Sequence, residues 1–149
     1  MKKLISFLTA AAVALSMSVS AFAAEPSVYL NGEKMTFDAA PFIENDRTLV
    51  PLRAIFEACG ATITWDQSTL TALGIKETKA EDGSAATSSV VVQINNPTAF
   101  VDSKPVELDV PAKVVNDRTF VPVRFIVESL GEKVEWNQDE LRVDITIDK

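Results

Sequence analysis

Residues 45–67 read NDRTLVPLRAIFEACGATITWDQ, and residues 116–138 read NDRTFVPVRFIVESLGEKVEWNQ. The two segments stand 71 positions apart and agree at 12 of 23 positions without a gap. The correspondence runs upstream, where VYLNGEKMTFD (28–38) lies over AFVDSKPVELD (99–109), and more weakly downstream, where Leu70 lies over Leu141. Self-similarity of this length points to one supersecondary unit used twice. Whatever fold the chain adopts must satisfy the same pattern in two places.

Each unit opens with a hairpin. Asn31-Gly32 sits between two alternating runs, and both residues tolerate positive φ, so it marks a two-residue turn; Asp102-Ser103 is the weaker equivalent. That turn places Val28, Leu30, Met35 and Phe37 on one face, and Ala99, Val101, Val106 and Leu108 on the matching face of the second ribbon. A one-sided apolar ribbon needs a cover. The cover is a helix begun by Pro51, whose missing amide costs nothing at a helix start. Leu52, Ile55, Phe56 and Cys59 follow at i, i+3, i+4 and i+7, and Gly60 ends the helix. Pro122, Val123, Ile126, Val127, Leu130 and Gly131 repeat the device. At about nine residues neither helix would hold alone. Burial of its stripe supplies roughly 1.5–3 kcal/mol per large side chain. Strands ATITW and EKVEW follow, with Trp65 beside Ile63 and Trp136 beside Val134, and TLTALGI and LRVDITI return. The expected class is α+β: a mainly antiparallel β-sheet with two short helices, internally duplicated about a pseudo-twofold, helix packed on sheet. The units span about 27–76 and 90–147. The stretch 77–89, ETKAEDGSAATSS, lacks large apolar residues and reads as a flexible joining loop. VVVQI (90–94) is expected to pair with TLTALGI, stitching the units into one body.

The chain of 149 residues begins MKKLISFLTAAAVALSMSVSAFA. A basic start, an apolar stretch and Ala21-Phe22-Ala23 make residues 1–23 a secretory signal peptide, leaving 24–149 as the mature domain. Loss of Lys2 and Lys3 moves the formal charge from −7 to −9. Such a surface repels phosphate backbones and anionic lipid, so nucleic acid is not an expected partner. No second long apolar stretch follows, so no transmembrane segment is expected after signal removal. The expected location is secreted, extracellular or associated with the cell surface, with any retention there noncovalent. Cys59 is the one cysteine, which excludes an intramolecular disulfide, and the chain has no histidine. Ser-His-Asp and Cys-His catalysis and histidine metal ligation are thereby excluded.

Several side chains have a structural and a functional reading. Trp65 and Trp136 alternate with core residues, which sets packing ahead of sugar stacking. Cys59 aligns with Leu130 and reads as a buried spacer rather than a reactive thiol. Arg53 with Glu57, and Arg124 with Glu128, are i,i+4 pairs on exposed helix faces. Asp46, Asp117, Asp66, Glu44 and Asp139 lack the D-x-D-x-D-G spacing of a calcium loop, so no metal site is expected. Four residues are candidate ligand contacts. Arg47 and Arg118 follow turns near the helix starts, where they would capture an anion or hold the loop through backbone carbonyls or a carboxylate. Tyr29 and Phe100 are repeat equivalents on the face opposite the core, where they would form an aromatic platform or be covered by the other half.

A turn of the NGK type followed by NDRTLVPLRAIFEACGATITWD, given again as NDRTFVPVRFIVESLGEKVEWN, resembles the copper amine oxidase N-terminal-like domain, often called a stalk domain. The resemblance covers nearly all of 27–147. Both copies depart from it by carrying Asp46 and Asp117 where the family's pattern has a turn glycine. It implies an antiparallel sheet wrapped around a helix and a noncatalytic appendage. The family's oxidase chemistry uses three histidines and a tyrosine-derived quinone, and nothing in this chain matches them, so neither a cofactor nor catalytic residues are expected. The expected role is an exported structural or binding module at the cell surface or matrix, acting on wall polymer or glycan. An accessory or inhibitory subunit docking on an exported protein is the alternative, followed by a secreted hydrolase using carboxylates alone.

Overall fold

The computed structural model describes residues 25–147; the signal peptide expected at 1–23 lies outside them. In chain order the elements are β1 Ser27–Leu30, β2 Glu33–Lys34, β3 Phe42–Glu44, β4 Arg47–Pro51, α1 Leu52–Ala58, β5 Thr62–Asp66, β6 Thr71–Lys79 and β7 Ala85–Gln93. They continue with β8 Thr98–Val101, β9 Lys104–Glu107, β10 Lys113–Val115, β11 Arg118–Pro122, α2 Val123–Ser129, β12 Lys133–Asn137 and β13 Arg142–Thr146. The class is α+β, mostly antiparallel strand with two helices. Elements recur at the 71-residue offset, β1 over β8 and α1 over α2. Among the described residues β7 alone has no counterpart.

The strands form three sheets, in the orders β9-β8-β7-β6-β5, β10-β11-β4-β3 and β12-β13-β1-β2. Each sheet mixes the two halves. In the central sheet β4 meets β11 with Val50 opposite Val121, two residues 71 apart in sequence. The flanking sheets share one order, except that β7 lies between β6 and β8 in one, whereas β13 pairs directly and in parallel with β1 in the other.

Local chemistry sets these elements. Asn31 and Gly32 take φ of 49° and 88°, and the hairpin opposes Leu30 to Glu33 as its spacing requires. Asn45-Asp46 and Asn116-Asp117 take φ of 50° and 64° in both copies, so the aspartates hold the left-handed position that the resemblance gives to glycine. Each helix is one residue pattern: seven residues, entered from a proline. Each also ends in the same six-residue wrap. Gly60 N–H donates to Glu57 O at 3.0 Å and Ala61 N–H to Phe56 O at 2.9 Å, as Gly131 and Glu132 do to Glu128 and Val127.

The helices touch each other and lie against β4 and β11, with α1 also on β5 and α2 on β12 and β7. Val28, Val50, Ile55, Phe56, Val121, Ile126, Val127 and Ile145 form the centre of the main core, each at 0–1 % exposure. A smaller cluster of Leu49, Val110 and Phe120 fills the other side of the central sheet, where the Phe42 and Phe120 rings stand 4.9 Å apart. On that side Lys113 of one edge strand reaches Glu44 of the opposite edge at 2.6 Å.

The stretch 77–89 corrects an expectation. It is strand at both ends rather than a joining loop: β6 and β7 pair without interruption from Thr71–Gln93 to Lys79–Ala85. The turn closes at Ala80–Ser84, where the Asp82 carboxylate accepts from the Ser84 amide at 2.9 Å and its hydroxyl at 2.6 Å. These hydrogen bonds hold the Asp82 carboxyl below the usual carboxylate range. Residues 79–85 at the far end of the hairpin are all exposed, and none of 77–89 belongs to either core cluster. The expected pairing of VVVQI with TLTALGI is present, with Val90 opposite Gly74.

Candidate functional site

Arg47 and Arg118 each close an ion pair across the two halves. Arg47 Nη2 donates to Asp109 Oδ2, and Arg118 Nε to Asp38 Oδ2 at 2.9 Å. Asp38 and Asp109 are themselves 71 apart, so the pairs are reciprocal. All four side chains are 45–67 % exposed, and exposed pairs of this kind contribute about 0–1 kcal/mol each. Both guanidinia thus engage a carboxylate that belongs to the other half. The partner aspartates were not among the candidates, although their offset repeats that of the arginines.

Tyr29 and Phe100 lie on separate sheets, in β1 and β8. Their surroundings differ because β7 enters only one of those sheets. Beside Tyr29 stands Asp144 of β13, and the Arg142 guanidinium, bonded to Asp144 Oδ1 at 2.8 and 3.0 Å, lies 3.6 Å from the tyrosine ring centroid. A cation on the ring occupies the surface a sugar would use. Beside Phe100 stand Val91 of β7 and Pro105 of β9, and its ring stays 40 % exposed.

Both tryptophans are half-buried against the main core. Trp65 Nε1 donates to Gln67 Oε1 and Trp136 Nε1 to Gln138 Oε1, each at 2.8 Å, so the indole donor is satisfied two residues on in both copies. Cys59 is 1 % exposed, and burial raises its thiol to about 11 against a partial lowering by Lys76. A thiol in that position is packing, not a nucleophile. Arg53–Glu57 and Arg124–Glu128 are formed at 3.8 and 3.3 Å on the exposed helix faces. Asp66 accepts from the Ser68 hydroxyl and amide and stays below the ordinary carboxylate range as a turn cap. Glu44 is held by Lys113. A further pair not seen in the sequence, Lys76 with Glu132, is well covered, at 14 % and 8 % side-chain exposure.

One concavity is a cleft of about 540 Å³ between the start of α2, the 107–110 segment and β12. Its apolar lining includes Leu108, Val123, Phe125 and Trp136. Its charged lining includes Arg47, Asp109, Arg124 and Glu128, the members of two ion pairs already described. A second, smaller hollow of about 430 Å³ shares Trp136 and adds Glu135, Asp139 and Asp144. Trp65 lines neither. The arrangement offers an indole, an apolar floor and a rim on which two ion pairs stand beside two further carboxylates, Asp46 and Glu107, a lining that can hold a ligand by shape and stacking. Among the described residues no three Cys, Asp or Glu side chains gather as a metal would require, and no helix is long and apolar enough to cross a membrane. A family model described as copper amine oxidase N-terminal domain matches residues 29–145. A search of the curated proteins gives no match.

Proposed function

The chain belongs to the copper amine oxidase N-terminal domain family, a noncatalytic, stalk-like domain, and on that premise we propose that it works as an exported binding or spacing module at the cell surface or in the extracellular matrix, on wall polymer or glycan. The observation that supports this reading is the cleft beside Trp136. Its guanidinia are paired with Asp109 and Glu128, and the indole and apolar floor offer contact beside two further carboxylates, Asp46 and Glu107. Sugar rings and peptide side chains both use such surfaces. In this reading the protein is not an enzyme and needs no cofactor.

The test is retention of the purified 24–149 chain on isolated cell walls, with peptidoglycan and polysaccharide fractions compared. Trp136→Ser is expected to lower retention at least tenfold. Trp65→Ser makes the same change at the matched position outside the cleft and is expected to leave it unchanged. Stoichiometric capture of one exported protein in place of polymer would favour the accessory-subunit alternative. Turnover of a glycan or peptide that a carboxylate variant abolishes would overturn the noncatalytic reading.

A further inference from the structure

In the two hollows that share Trp136, carboxylates outnumber guanidinia by seven to two. Both guanidinia are already paired, Arg47 with Asp109 and Arg124 with Glu128, and the indole N–H is given to Gln138. Asp144 is held by Arg142. Asp46, Glu107, Glu135 and Asp139 have no cationic partner among the described residues, and Glu107 accepts only from the Thr98 hydroxyl, at 2.6 Å. This excess is local rather than a share of the chain's general acidity. Seventy-one residues earlier, in the Trp65 copy, the positions of Glu107, Glu135 and Asp139 hold Thr36, Thr64 and Ser68. The reverse exchange, Asp66 for Asn137, adds a carboxylate that caps its own turn through Ser68. Phe125 stands where the Trp65 copy has Ala54, so the Trp136 side also gains a ring in its apolar lining.

We propose that the Trp136 cleft takes a polymer of amino sugars in the ammonium form. The proposal rests on the polymer-binding reading above and names the chemistry of that polymer. The charged donors of the lining are spent and charged acceptors remain, so the ligand must bring the donors. An ammonium brings three, on a positive charge that the unpaired carboxylates attract. The apolar face of a sugar ring suits the indole, whose quadrupole also favours a nearby cation. Acetylation removes the charge and leaves an amide carbonyl for which the lining keeps no free cation. Phosphate- and carboxylate-bearing polymers meet repulsion. Two of the unpaired carboxylates line the cleft and two the second hollow, with Trp136 lining both, an arrangement that suits charge carried on successive rings. A lysine-rich peptide offers the same ammonium on a stem whose ordering costs side-chain entropy, whereas a pyranose holds ammonium and apolar face in one rigid piece.

Calorimetric titration of the 24–149 chain with a glucosamine hexamer and with its N-acetylated counterpart tests the proposal, at about pH 5.5, where carboxylates are ionised and the sugar amines protonated. The glucosamine hexamer is expected to bind at least about tenfold more tightly, with the advantage shrinking as salt rises. Trp136→Ser, folded by circular dichroism, is expected to abolish binding. Glu107→Gln with Asp139→Asn, one carboxylate from each hollow, is expected to cut the advantage to under about threefold. Glu77→Gln with Glu81→Gln removes the same charge from the exposed hairpin and is expected to leave it intact. Equal affinity for the two hexamers, both lost with Trp136→Ser, overturns the ammonium assignment while the polymer-binding reading stands. Binding of neither hexamer also overturns it, and retention on isolated walls then decides the broader reading by itself. Equal loss with the hairpin pair would reduce the effect to net charge, and tighter binding of a lysine hexapeptide in the same cleft would assign it to basic peptide; either result overturns the proposal.

Discussion

Gly74 and Phe56 show how one repeat tolerates a change the other does not make. A Cβ built on Gly74 would stand 2.3 Å from Phe56 Cε1, and the ring is fully buried. Seventy-one residues on, the same two positions hold Ile145 and Val127, both buried. Volume has moved from the strand to the helix in one copy and from the helix to the strand in the other, the exchange that close packing permits. Gly74→Ala is expected to destabilise by about 1–3 kcal/mol, read as a lower urea midpoint at unchanged slope. Phe56→Leu combined with Gly74→Ala is expected to cost less than the sum of the two single changes, since the smaller side chain frees the space the methyl needs. Additive losses would mean the two positions do not share one space.

The β6–β7 hairpin is the clearest case of an element hidden from sequence reading. Its inner end was visible, because VVVQI and TLTALGI alternate and are apolar. Its outer end was not, because 77–87 has polar residues on both faces and a strand with no buried face leaves no periodicity to detect. Joining Lys76 to Ser88 through Asn-Gly in place of 77–87 is expected to leave the melting temperature within about 3 °C, because the removed segment belongs to neither core cluster. Lys76 is kept in this variant because Glu132 pairs with it. A larger loss would show that the outer hairpin supports the body. The helices, by contrast, were readable nearly to their ends. A proline start, an apolar stripe and a glycine stop are local signals, and each sits where the chemistry of helix termini requires it. At the candidate site the arginines were readable as turn residues but their partners were not. Asp38 and Asp109 come from the opposite half, and a local pattern does not name what lies across a fold.

The mixing of halves in every sheet is the property with most consequence for folding. β1 needs β13, β4 needs β11, and β6 reaches β8 through β7. Pairings this distant in sequence give local stretches little to gain before the whole chain closes. Fragments 25–82 and 83–147, cut at the exposed hairpin turn, are expected to lack cooperative unfolding when separate. They should recover the native near-ultraviolet circular dichroism when mixed in equal amounts. A cooperative transition in either fragment alone would show that one repeat is a self-sufficient unit. The reciprocal pairs Arg47–Asp109 and Arg118–Asp38 add little to that closure energetically, being exposed, but each ties one half's turn to the other half's preceding loop.

The parallel contact of β1 with β13 decides how the body carries mechanical load. The described chain enters at the start of β1 and leaves at the end of β13, and in register these neighbours run from Ser27–Arg142 to Leu30–Ile145. A pull on the two ends therefore slides one strand along the other, so all the bonds of that ladder resist together instead of opening one by one like a zip. A spacer held between an anchor and a load would gain rupture strength from that single arrangement.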